Sequence, residues 1–159
     1  MVIIKQMGSS VKNNADALIF HTALCDACEM EIIMGKYHFI IIGAGWRALY
    51  YVRIAKAMPD IFCLDAVYCR TQEKADKIAR EYQIHTTTSK EECAAYKPDF
   101  AVIAVNKAEI CNVAVEWMDR GITVLSETPA ALDIEALKKL YGYYKAGKKQ
   151  VVAEQYREY

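Results

Sequence analysis

An apolar run from Tyr37 to Ile42 stops at Gly43-Ala44-Gly45-Trp46-Arg47-Ala48, and a helical pattern begins at once. This junction constrains the fold more than any other stretch. Gly43 allows a tight turn after the strand. Gly45 lets the backbone approach a pyrophosphate with no side chain between, and Ala48 lets the helix pack closely on the strand. The free N–H groups and positive dipole end of such a helix suit a phosphate. Glycines at this spacing mean little alone. Here an apolar strand precedes them, a helix follows, and four further strand–helix units come after. The junction therefore predicts dinucleotide contact at Gly43, Gly45, Trp46 and Arg47.

The rest of the chain keeps the same rhythm. A helix runs from about Trp46 to Met58 with Ala48, Tyr51, Val52 and Ala55 on one face, and Pro59 closes it. A second strand covers about Ile61 to Cys69. Thr71 can cap a helix whose inner face is Ala75, Ile78, Ala79 and Tyr82. A short strand spans Ile84 to Thr87, and Ser89 with Glu92 reads as a capping box. The fourth strand, Phe100 to Val105, is apolar throughout, as a strand covered on both faces should be. Its helix, Ala108 to Arg120, carries Ile110, Val113, Ala114, Trp117 and Met118, and Gly121 suits its C-terminus. A fifth strand covers Ile122 to Leu125. The last helix, Asp133 to Ala146, is expected to turn Ile134, Leu137, Leu140, Tyr141 and Tyr144 inward. A sixth strand is Gln150 to Ala153. Strands alternating with such helices imply an α/β fold, a doubly wound parallel sheet in three layers with strand order 3-2-1-4-5-6.

Residues 1–36 fall outside this rhythm and read as an N-terminal extension, appended or arising from a misassigned start; residues 37–159 form the dinucleotide-binding domain. Met1 to Asn14 is polar, and Ala15 to Met34 is apolar on too many sides for one clean helical stripe. Cys25-Asp26-Ala27-Cys28 lacks the second ligand pair of a structural zinc site, so no metal is expected. The remaining cysteines, 63, 69, 93 and 111, read as small hydrophobes, and Cys69 is expected near the adenosine ribose. His38 and His85 are placed inside the first and third strands as structural residues. Twenty basic residues balance twenty acidic ones, which argues against nucleic acid as partner. No apolar run reaches the roughly 18 residues of a membrane span. Reduced cysteines and the lack of a signal-peptide pattern point to the cytoplasm.

A ribose-binding acid is expected at the end of the second strand. Asp65 lies mid-strand instead, and the strand end holds Cys69, Arg70 and Thr71. Arg70 can pair with a 2′-phosphate, with Thr71 as hydrogen-bond donor, so NADP is favoured over NAD. A solvated surface role for Arg70 is the alternative.

Four segments carry a family resemblance: Gly43 to Ala48; Cys69-Arg70-Thr71-Gln72-Glu73-Lys74-Ala75; Asp99 to Asn106; and Gly121 to Pro129. Together they resemble the N-terminal domain of the glucose–fructose oxidoreductase / inositol dehydrogenase / rhizopine-catabolism family (Gfo/Idh/MocA). The resemblance implies an oxidoreductase moving hydride between a nicotinamide cofactor and a hydroxyl-bearing carbon of a sugar or cyclitol derivative. It also implies that Val105 and Asn106 pass under the nicotinamide ribose, that Glu127 contacts cofactor ribose, and that Pro129 follows a cis peptide. The family's lysine position holds Thr128, which cannot supply an ammonium's charge. The family's second domain brings the substrate contacts and the oligomer interface, and this sequence does not include it. The chain alone is therefore expected to be inactive, and a non-catalytic dinucleotide-binding module is the alternative reading.

Overall fold

The computed structural model describes residues 35–153. The polar and apolar stretches of residues 1–34, with His21 and the Cys25–Cys28 pair, lie outside the described residues. Six strands form the sheet: β1 (Tyr37–Ile42), β2 (Phe62–Tyr68), β3 (Thr86–Thr87), β4 (Phe100–Ile103), β5 (Thr123–Glu127) and β6 (Gln150–Ala153). Five helices connect them: α1 (Trp46–Ala57), α2 (Gln72–Tyr82), α3 (Lys90–Ala95), α4 (Ile110–Asp119) and α5 (Ile134–Lys145). The strand order is 3-2-1-4-5-6 and every pairing is parallel. The doubly wound Rossmann sheet expected from the sequence is the fold.

β1 is central, and that explains its composition. Phe39, Ile40, Ile41 and Ile42 are all buried. Successive side chains point to opposite faces. Ile40 and Ile42 join a core built with Cys93, Cys111, Ala114, Trp117, Met118 and Leu140 of α3, α4 and α5. Phe39 and Ile41 face the other layer, where α1 buries the four residues that its periodicity selects, Ala48, Tyr51, Val52 and Ala55. The β1–β2 ladder is irregular at one point. Phe39 pairs with Leu64 and Ile40 with Ala66, so Asp65 is an extra residue in β2.

Several local expectations are corrected. α5 does not bury the stripe Ile134, Leu137, Tyr141 and Tyr144, all of which are exposed. The inward face is Ala136, Leu140 and Tyr143, and Tyr143 donates to Asp119. This helix carries two apolar stripes, and the one beside α4 is the one that packs. The capping box is half formed. Ser89 Oγ accepts from the Glu92 amide at 3.2 Å, but the Ser89 amide donates to Thr87 Oγ1, and the Glu92 carboxylate binds His85 and Thr87. Thr71 sits at the α2 N-cap without a side-chain cap bond. β5 extends to Glu127, two residues past expectation, while β4 ends at Ile103. His85 precedes β3, and its exposed ring lies 6.0 Å from that of Tyr96.

Candidate functional site: the carboxyl edge of the sheet

All the sequence-selected residues gather where strands end. Gly43 to Arg47 join β1 to α1, and Arg70 and Thr71 follow β2. Val105 and Asn106 follow β4, while Glu127, Thr128 and Pro129 close β5. In an open parallel sheet this edge, at the reversal of strand order between β1 and β4, is where ligands bind.

The two glycines are needed for different reasons. The Gly43 amide donates to Tyr68 O at 3.1 Å, and the Ala104 amide donates to Ile42 O at 2.9 Å, so the turn is held from both neighbouring strands. Gly43 has φ +127, and a Cβ there would lie 2.2 Å from the Ala104 carbonyl oxygen. Its demand is therefore close approach to the end of β4 as well as the turn. Gly45 has an ordinary φ of −87, and a Cβ there would meet nothing within 4 Å. It stands at the N-cap of α1 with no side chain to satisfy the first-turn amides. Open space over unsatisfied N–H groups at a helix start fits a pyrophosphate.

The sequence-selected Glu127 belongs to a buried polar pair whose other member, Tyr51, sequence reasoning missed. Glu127 is 6% exposed. Tyr51 donates its hydroxyl to Glu127 Oε1 at 2.8 Å, and the Arg47 guanidinium lies 3.3 Å from Oε2. Burial, and then the bond to Glu127, push the Tyr51 hydroxyl far above its ordinary pKa, so it remains a donor. The Arg47 guanidinium also lies 4.4 Å over the exposed Trp46 ring. Tyr51 reads as core from its helical position, and only the paired carboxylate gives its hydroxyl a purpose.

Asn106 Oδ1 accepts from the Ala108 amide at 3.1 Å and shapes the turn after β4, beside the half-buried Val105. The Thr128–Pro129 peptide is cis. Arg70 and Thr71 are exposed, and among the described residues Arg70 forms no ion pair. Cys69 lies at the strand end as expected but is fully buried.

A family model described as oxidoreductase family, NAD-binding Rossmann fold (Gfo/Idh/MocA), matches residues 37–155. The chain belongs to this family. Among solved structures it is similar to the WlbA dehydrogenase of Bordetella pertussis, solved with NADH and UDP-GlcNAcA. That match has a TM-score of 0.70 and 22% identity, over 77% of this chain and 38% of the other. It is similar to myo-inositol 2-dehydrogenase of Lactobacillus plantarum at TM-score 0.65 and 16% identity, over 75% and 36%. It is also similar to the UDP-N-acetylglucosamine 3-dehydrogenase GnnA of Acidithiobacillus ferrooxidans, at TM-score 0.62 and 25% identity, over 71% and 36%. The chain thus spans a little over a third of the length of these relatives. No curated protein matches the sequence. The Gfo/Idh/MocA assignment makes residues 37–155 an NAD-binding Rossmann domain. Among the described residues no helix is long and apolar enough to cross a membrane.

Proposed function

We propose that this domain binds NADP(H) in preference to NAD(H), across the crevice between the carboxyl ends of β1 and β4. It does so as the cofactor half of an oxidoreductase acting on a hydroxyl-bearing carbon of a sugar or cyclitol derivative. The loop geometry carries the reading: Gly45 leaves open space over the unsatisfied start of α1. Gly43, Gly45, Trp46 and Arg47 receive the pyrophosphate. Arg70 and Thr71 receive the adenosine end, and no carboxylate stands at the β2 terminus to repel a 2′-phosphate. Val105 and Asn106 lie under the nicotinamide ribose, Glu127 contacts cofactor ribose, and Pro129 shapes the same turn after β5. The bound cofactor supplies hydride chemistry, and the protein supplies its orientation.

Thr128 supports a second reading, a dinucleotide-binding module without catalysis. It stands where the family carries a lysine, and its hydroxyl brings no positive charge to a substrate oxygen. In either reading the domain works in the cytoplasm with a dinucleotide as its small-molecule partner.

Calorimetry with both dinucleotides tests the cofactor assignment. A charged hydrogen bond is worth roughly 1.5–3 kcal/mol, so NADP should bind about tenfold to a hundredfold more tightly than NAD. Arg70→Ala should remove most of that difference. A wild-type preference for NAD refutes the assignment without touching the fold.

A further inference from the structure

We propose a site for a zinc-class divalent cation at the opposite edge of the sheet, held by His38 Nδ1, Cys63 Sγ and the Asp65 carboxylate, with water as fourth ligand. Three observations converge there. The first is the cluster itself: ligand atoms from these three residues lie within 4.8 Å of one another. His38 pairs directly with Cys63 across the β1–β2 ladder, and His38 Nδ1 lies 2.9 Å from Asp65 Oδ1, which also takes the Cys63 thiol at 3.6 Å.

The second is the Asp65 carboxylate. Its side chain is only 9% exposed, and Oδ2 is buried without a hydrogen-bond partner. A buried carboxylate oxygen left unpaired is costly, and such groups are normally paired or bound to metal. The third is the irregularity in β2, where Asp65 is the extra residue. Bulges re-aim side chains and gather at functional sites. Reading the sequence alone placed these residues singly, as a structural histidine, a small hydrophobe and a mid-strand acid. The bulge is what makes them a group.

The donor set selects the cation. One imidazole, one thiolate and one carboxylate suit zinc and its neighbours, not magnesium or calcium. Metal–ligand bonds of about 2.0–2.3 Å put tetrahedral ligands roughly 3.3–3.8 Å apart, and the three ligand atoms lie within 4.8 Å, so the widest pair needs to close by roughly 1.0–1.5 Å at most. On binding, the Cys63 proton leaves to solvent, the His38 ring carries its proton on Nε2 instead of Nδ1, and the His38–Asp65 hydrogen bond gives way to two coordinate bonds. The His38 ring is 53% exposed, which provides entry and room for the water. Asp99 fixes the strand start by accepting from the His38 amide at 2.8 Å. His38 lies about 16 Å along β1 from the phosphate loop, so the cation ties β1 to β2 and takes no part in cofactor chemistry.

Cobalt(II) is the probe. The full chain is stripped with chelator and titrated with Co²⁺ alone, alongside a form with Cys25 and Cys28 both replaced by serine. Both should develop a thiolate-to-cobalt charge-transfer band with one-to-one stoichiometry, and zinc should bleach it. Cys63→Ser should abolish the band. His38→Gln, which leaves the thiol in place, should weaken binding on the order of tenfold to a hundredfold. Circular dichroism checks that each variant is folded. A band that persists in Cys63→Ser, no band in the full chain, or a band lost with Cys25 and Cys28 each overturns the proposal.

Discussion

The contrast between Gly43 and Gly45 gives the sharpest test of the loop. Consider Gly43→Ala first. At φ +127 an L-residue occupies backbone space that costs roughly 1–3 kcal/mol. The new methyl also falls 2.2 Å from Ala104 O and 2.8 Å from its carbonyl carbon. Those are backbone atoms at the buried end of β4, so relief requires moving a central strand, at roughly another 1–3 kcal/mol. The sum, roughly 2–6 kcal/mol, is a large share of the roughly 5–15 kcal/mol that holds a typical domain. A melting temperature lower by roughly 10 °C or more is expected. Gly45→Ala meets nothing within 4 Å and has an allowed φ. A poorer helix cap and a stiffer unfolded chain oppose each other there, so stability should change by less than about 1 kcal/mol. Its methyl, and more so that of Gly45→Val, enters the space proposed for the pyrophosphate. Dinucleotide affinity should fall by at least about tenfold, some 1.4 kcal/mol. Thermal melts and calorimetry on both variants separate the two roles. A Gly43→Ala protein that melts like wild type refutes the close-approach argument. A Gly45→Val protein with undiminished affinity refutes the phosphate site.

Further outcomes are expected elsewhere. Tyr51→Phe leaves Glu127 Oε1 buried without its donor and should cost about 1–3 kcal/mol in denaturant unfolding; an unchanged midpoint would show that water replaces the hydroxyl. The Cys93 thiol, fully buried and pushed up to about 12 first by burial and then by Glu92, should resist iodoacetamide until denaturant is added; mapped labelling of native protein at that position contradicts this. On α5, Leu140→Ala should cost about 2–5 kcal/mol while Leu137→Lys costs little, and a reversed order in chemical unfolding would show that the other stripe is buried.

The outline of the fold was legible because its signals are local. The apolar β1, the glycine turn and the 3.6-residue face of α1 are each contained within about a dozen residues, and each was placed within one or two residues of where it lies. What escaped depends on distant partners. α5 has two apolar stripes, and only the position of Tyr143 opposite Asp119 decides between them. Glu127 was legible as a site residue, but Tyr51 was not, because 76 residues separate the hydroxyl from its acceptor. The His38–Cys63–Asp65 group depends on a register shift that no periodicity encodes.

The first of the described strands to be made, β1, lies in the middle of the sheet, with β2 on one side and β4 on the other. That order has a consequence for synthesis. Once α1 and β2 emerge, β1 has one neighbour and one helical cover, but Phe100 to Ile103 complete its other side only some sixty residues after Ile40. At ribosomal speeds of roughly 5–20 residues per second, the open edge of β1 waits about 3–12 seconds for its partner. Throughout that interval the most apolar segment of the domain presents unpaired amides and bare isoleucines. The nascent chain is therefore most vulnerable to strand-to-strand capture between the completion of β2 and the arrival of β4.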